Sequence, residues 1–121
     1  MKSAVIDTDV ASFLLQDRQW LVSFMTEAEL EQWALLASWQ AKRLEWLRTF
    51  LSRFVIVPSS RDLVLKWAEV MVAARRSGRR LETADGWIAA TALLYGSSLL
   101  THNVGDYLGV PDLHLPRLVG E

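Results

Sequence analysis

Four short apolar runs, separated by longer stretches of helical spacing, set the tightest limit on what this chain can fold into. Ala4-Val5-Ile6 is apolar and partly β-branched, and Asp7-Thr8-Asp9 ends it, which predicts a buried strand followed by a helix over Val10 to Leu15. Trp20 to Met25 reads as a second buried strand. Thr26 and Glu29 then stand at capping-box spacing ahead of a helix whose stripe is Leu30, Trp33, Ala34 and Ala37. Gln40 to Leu51 predicts a further helix with Leu44, Leu47 and Leu51 turned inward. Phe54 to Val57 is the third strand. Ser59 and Asp62 repeat the capping-box pattern before a helix carrying Leu63, Trp67, Val70, Met71 and Ala74, which Gly78 ends. A helix over Thr83 to Tyr95, a strand over Ser98 to Thr101 and a last short strand at Leu113-His114-Leu115 complete the chain. Strands this short and apolar, alternating with helices, predict an α/β fold: a doubly wound, mostly parallel central sheet of four to five strands flanked by helices.

With 121 residues, 51% of them hydrophobic, the chain has enough apolar surface for one core, so residues 1–121 are expected to form a single domain. The longest apolar run, Ala89 to Tyr95, falls well short of the roughly 20 residues that span a bilayer. Asp7 interrupts the N-terminal segment where a signal peptide needs further apolar residues, so a cytoplasmic location is expected, with no membrane partner. The absence of cysteine excludes a disulfide framework, thiolate metal ligands and a thiol nucleophile.

The net charge of −1 hides a strong asymmetry. Residues 1–38 carry −4, residues 39–80 carry +7 and residues 81–121 carry −4. A basic middle between acidic ends suits a polyanionic partner and a cation-binding site in one molecule.

Ligands of open α/β sheets bind outside the carboxyl ends of the strands. Asp7 and Asp9 follow the first expected strand, Glu27 and Glu29 the second, and Asp106 the fourth, while Asp85 opens a helix whose start faces the same edge. Each has an ordinary alternative role as a helix cap, a dipole partner or a turn former. Carboxylates gathered at one edge repel one another unless a cation neutralises them, and a hard divalent ion such as Mg²⁺ or Mn²⁺ suits an all-oxygen donor set. His102 and His114 have no partner at metal-ligand spacing, and neither a glycine-rich phosphate loop nor a serine nucleophile elbow is present.

Val5-Ile6-Asp7-Thr8-Asp9-Val10, Thr26-Glu27-Ala28-Glu29-Leu30, Asp85-Gly86-Trp87-Ile88-Ala89-Ala90-Thr91-Ala92 and Leu100-Thr101-His102-Asn103-Val104-Gly105-Asp106-Tyr107 together resemble the PIN domain. The likeness is greatest to its VapC-type toxin branch and runs through essentially the whole chain in order. The resemblance implies a Mg²⁺-dependent endoribonuclease that cleaves RNA by metal-activated water, with Mn²⁺ as a substitute, paired with an antitoxin protein that covers its acidic groove. It also implies a homodimer. Carried over by position, Asp7, Glu29, Asp85 and Asp106 are the catalytic and metal-binding carboxylates, supported by Asp9, Thr101 and Asn103. Arg75, Arg76, Arg79 and Arg80 become candidates for gripping RNA phosphates, the ordinary alternative being a solvated helix end. Most of the tryptophans are expected in the core or an interface, with base stacking as the alternative.

One departure from the family pattern stands out. A longer helical stretch usually joins the first two strands, whereas here only residues 15–19 join Leu14 to Trp20. Two other readings remain open: a phosphatase of the haloacid dehalogenase type with Asp7 as nucleophile, and a catalytically inactive PIN-like binding module.

Overall fold

The computed structural model describes residues 2–6 and 18–116. Four strands, β1 (Lys2–Ile6), β2 (Arg18–Ser23), β3 (Val55–Val57) and β4 (Ser98–Leu100), form one sheet in the order β3-β2-β1-β4. All three pairings are parallel. Helices α1 (Phe24–Leu36) and α2 (Ala41–Leu51) join β2 to β3. Helices α3 (Arg61–Arg76) and α4 (Thr83–Leu94) carry the chain from β3 across the sheet to β4, and a 3₁₀ turn, Val104–Tyr107, follows. The doubly wound parallel sheet expected from the sequence is therefore present. The expected helix over Val10 to Leu15 lies outside the described residues.

Register explains which side chains make the core. Val5 is aligned with Leu21 on one side and Leu99 on the other, so one face carries a continuous apolar row. That row is buried under α3 and α4 with Leu63, Val70, Ala74, Ile88 and Tyr107. The opposite face carries Trp20, Val22 and Leu100, joined by Phe54. A third cluster holds α1 to α2 through Leu30, Ala34, Leu47 and Leu51, with Ile56 of β3 against it.

Several boundaries differ from the sequence expectation. Strand β2 stops at Ser23 rather than Met25, because the buried Ser23 hydroxyl accepts the Met25 N–H at 3.1 Å and starts α1 there. Thr26 is accordingly buried inside the helix and does not cap it. The inward stripe is Thr26, Leu30 and Ala34, at four-residue steps, which turns Trp33 outward to 57% exposure and leaves Ala37 exposed as the C-cap. Ser60, not Ser59, caps α3, accepting from Leu63 N at 3.1 Å. The expected last strand at Leu113 to Leu115 is absent: one backbone bond, Leu99 N–H to His114 O at 3.0 Å, replaces a ladder. A 2.6 Å contact between Ser98 Oγ and His114 Nδ1 holds that segment beside β4.

Three helices end in the same Schellman arrangement, in which two late backbone N–H groups fold back onto the last turn. At α3 the bonds are Gly78 N to Arg75 O and Arg79 N to Ala74 O, both 3.1 Å, with Gly78 at φ 76°. At α4 Gly96 takes φ 60°. At α1 the left-handed position falls to Ser38, at φ 53°, and Trp39 N returns to Ala34 O. This return sets Trp39 beside Trp33, ring centroids 5.2 Å apart, opening an aromatic series that continues through Trp46, Phe50 and Phe54.

Candidate active site

The chain builds β1, β2 and β3 in one direction across the sheet and then crosses back to place β4 on the far side of β1. The switch between β1 and β4 is where a parallel α/β sheet opens a crevice at its carboxyl edge. Ile6 is in register with Leu100, so Thr101 leaves the sheet beside the end of β1. Asp7 and Asp9, the candidate carboxylate and its supporting neighbour, lie outside the described residues.

Asp85 occupies the first turn of α4 and is half-buried. Because α4 leads into the amino end of parallel β4, its own start lies at the carboxyl edge. Tyr107, 1% exposed, donates its hydroxyl to Asp85 Oδ1 at 3.3 Å and so ties the turn after β4 to the start of α4. Asp106 is the residue before Tyr107 and is exposed, with its backbone N–H on Asn103 O at 3.0 Å. Thr101 is buried, and its Oγ1 accepts the Asn103 N–H at 2.9 Å, which pins the turn on which Asp106 stands. Asn103 itself is exposed at the turn's N-cap position, next to exposed His102.

Glu29 sits half-buried in the second turn of α1. That helix is fixed against α4 by Phe24, whose ring meets Trp87 edge-on at 5.3 Å. Trp87 in turn stacks on Trp67 of α3 at 4.8 Å and 15°, and Trp67 Nε1 donates to Thr83 O at 3.3 Å. These three aromatic side chains brace the helix starts that bear Glu29 and Asp85, a role for which the half-buried Trp67 and Trp87 need no base to stack on. Among the described residues no three His, Asp or Glu side chains stand close enough to hold a metal ion. The donor set offered by Glu29, Asp85 and Asp106 is nonetheless all-carboxylate, which fits a hard oxygen-seeking divalent ion and not a thiophilic one.

Of the four basic candidates, Arg75, Arg79 and Arg80 line an open groove of about 490 Å³ at the end of α3, and Arg76 does not. Arg80 pairs with Glu82 at 3.1 Å. Tyr107 closed the sequence motif around Asp106 but carried no assigned role; its aromatic ring next to that acid was the available signal.

The chain has relatives among known proteins. The family model described as PIN domain matches residues 4–105. Ribonuclease VapC4 of Mycobacterium tuberculosis is 31% identical over 99 residues, covering 80% of this chain and 75% of that protein. Among solved structures, VapBC2 from Rickettsia felis bound to a DNA fragment from its promoter has a chain that superposes with a TM-score of 0.84 at 18% identity, over 96% of this chain and 98% of that one. VapBC-5 from Mycobacterium tuberculosis, a member of the VapBC family of toxin-antitoxin systems, gives 0.74 at 26% identity, over 98% and 100%.

Proposed function

The chain belongs to the PIN domain family, in its VapC branch, and on that premise we propose that it is a divalent-metal-dependent endoribonuclease, the toxin of a toxin–antitoxin pair. The observation that carries the reading is the tie between Asp85 and the turn bearing Asp106: Tyr107 joins two acids from distant parts of the chain beside the topological switch. A fold alone does not supply this, and a turn former or a helix-dipole partner has no need of it.

In this reading Glu29, Asp85 and Asp106, completed by Asp7, would hold Mg²⁺ or Mn²⁺. The chemistry such an ion supplies is neutralisation of phosphate charge and a lowered pKa for water. The rest falls to the chain's own residues. Tyr107 keeps the Asp85 carboxylate in one orientation through its hydroxyl. Thr101 and Asn103 fix the backbone of the turn that presents Asp106. The substrate is an RNA phosphodiester, in which a water oxygen bonds to phosphorus in line as the bond to the leaving oxygen breaks. Asp9 is a further supporting acid. A single domain over residues 1–121, a homodimer, an antitoxin partner that covers the acidic edge and a cytoplasmic site of action belong to the same proposal. Among the described residues no helix is long and apolar enough to cross a membrane.

The test is incubation of the purified protein with a pool of tRNA, rRNA and mRNA, with Mg²⁺ and with EDTA, followed by mapping of the new ends. Cleavage is expected only with the ion, and Asp85→Asn is expected to lower it by about 100-fold or more, as loss of a group that positions charge at a reacting centre does. Cleavage that survives EDTA, or that the substitution leaves intact, refutes the proposal.

A further inference from the structure

The groove at the end of α3 is lined by Arg75, Arg79 and Arg80 together with Met71, Gly78 and Leu81, and no acidic residue lines it. Two of its three guanidinium groups are uncommitted: Arg80 is engaged by Glu82, whereas Arg75 and Arg79 make no ion pair with any described residue. Their mutual placement is built into the backbone. The Schellman turn at Gly78 returns Arg79 N to Ala74 O and Gly78 N to Arg75 O, which sets Arg79 back over the last turn of α3. A guanidinium presents a planar fork of donors that matches phosphate oxygens, so two such groups beside an acid-free hollow form a site for an anionic backbone.

Its position relates it to the candidate active site. Gly109 follows Asp106 and Tyr107 in a tight turn, with Val110 N on Tyr107 O at 3.0 Å. The backbone of Gly109 lies so close to Arg79 that an added Cβ would stand 2.9 Å from Arg79 Cβ and 3.4 Å from Ala74. Glycine is what lets the basic turn abut the turn that presents Asp106.

We propose that Arg75 and Arg79 form a phosphate subsite that holds the RNA backbone next to the cleavage site. The identity of the ligand as RNA rests on the ribonuclease reading; the anion-binding character of the groove does not. An acidic peptide is the competing occupant. RNA is favoured because the groove adjoins the turn bearing Asp106, so a polyphosphate chain lying at the carboxyl edge continues into it.

The experiment measures binding of a fluorescein-labelled single-stranded oligouridylate in EDTA by anisotropy, over a series of salt concentrations. It compares the unmodified protein, the Arg75→Ala/Arg79→Ala double variant and the Arg75→Lys/Arg79→Lys double variant, with Arg53→Ala as a control outside the groove. Each phosphate of a single strand that a protein cation neutralises adds about 0.7 to the steepness of log affinity against log salt, so the alanine variant is expected to be shallower by about 1.4. The lysine variant is expected to retain most of the slope, and Arg53→Ala all of it. An unchanged slope in the alanine variant overturns the proposal, as does an unmodified protein that does not bind the oligonucleotide. So does a variant that keeps its RNA affinity and instead ceases to bind a poly-glutamate peptide. Binding of RNA through the groove by a protein that shows no Mg²⁺-dependent cleavage would sink the ribonuclease reading and leave the subsite standing.

Discussion

Replacing Gly86 with alanine sets two effects of opposite sign against each other next to Asp85. In an ordinary helix interior the change stabilises by about 0.5–1 kcal/mol, because glycine gives up more backbone freedom on folding. Here the added Cβ would lie 2.5 Å from Met71 Sδ and 2.9 Å from Trp67 Nε1. Met71 is unbranched and can swing its sulfur aside for about 1 kcal/mol of rotamer strain. Trp67 has no such freedom, since its ring stacks on Trp87 at 4.8 Å and its Nε1–H is committed to Thr83 O. Overpacking of this kind costs roughly 1–3 kcal/mol, which outweighs the backbone gain and leaves a net loss of about 1–2 kcal/mol. For a domain of this size that corresponds to a fall in Tm of about 4–8 °C. Thermal and urea unfolding of Gly86→Ala, Met71→Ala and the double variant measure it. The double variant is expected to lose less than the sum of the two singles, by about 0.5–1 kcal/mol, since removing the thioether frees part of the crowded volume. A higher Tm for Gly86→Ala, or strict additivity in the cycle, would show that the close approach of α3 to α4 is not what demands glycine.

Three further substitutions test other elements. Tyr107→Phe removes the donor to Asp85 Oδ1 from a buried position and is expected to cost about 1–2 kcal/mol in urea unfolding, together with a fall in RNA cleavage; a variant that keeps full activity separates the hydroxyl from the site. Ser60→Ala deletes the side-chain cap of α3 and is expected to lower the urea midpoint by about 1 kcal/mol equivalent with the m-value unchanged, and no loss at all would mean that Ser60 Oγ does not cap the helix in solution. Ser38→Gly relieves a non-glycine residue at φ 53° and is expected to stabilise by about 1 kcal/mol, raising Tm; a lower Tm would contradict the assignment of strain to that residue.

The strands were legible because a parallel strand buried on both faces must be apolar throughout, and Val5, Leu21 and Leu99 obey that locally. Helix starts were less so. Ser23 and Thr26, and again Ser59 and Ser60, stand within three residues of each other, and the choice falls to the residue at which sheet pairing stops, which is set by β1 and β3 from far along the chain. Leu113-His114-Leu115 has the alternation of a strand but makes one backbone bond to β4, and no pattern in three residues reveals how many partners they find. The places of Glu29 in α1, Asp85 in the first turn of α4 and Asp106 in the turn after β4 were legible from their positions after strands and at helix starts. The contact between Tyr107 and Asp85, 22 residues apart, depends on the packing of α4 against the last turn and has no local signature. The basic cluster was visible as charge, yet its division was not. Whether Arg75 or Arg76 faces the groove depends on the rotation of α3, which the buried Leu63, Val70 and Ala74 fix.

The pairing of β1 with β4 bears on how such a protein is synthesised. Ala4 is aligned with Ser98, so β1 leaves the ribosome well before β4, one of its two partners in the sheet. At about 5–20 residues synthesised per second, that interval is on the order of 5–20 s. Throughout it the turn bearing Asp106 does not yet exist, and Tyr107 cannot reach Asp85. A nascent or prematurely terminated chain therefore carries the first acids of the proposed site without the last.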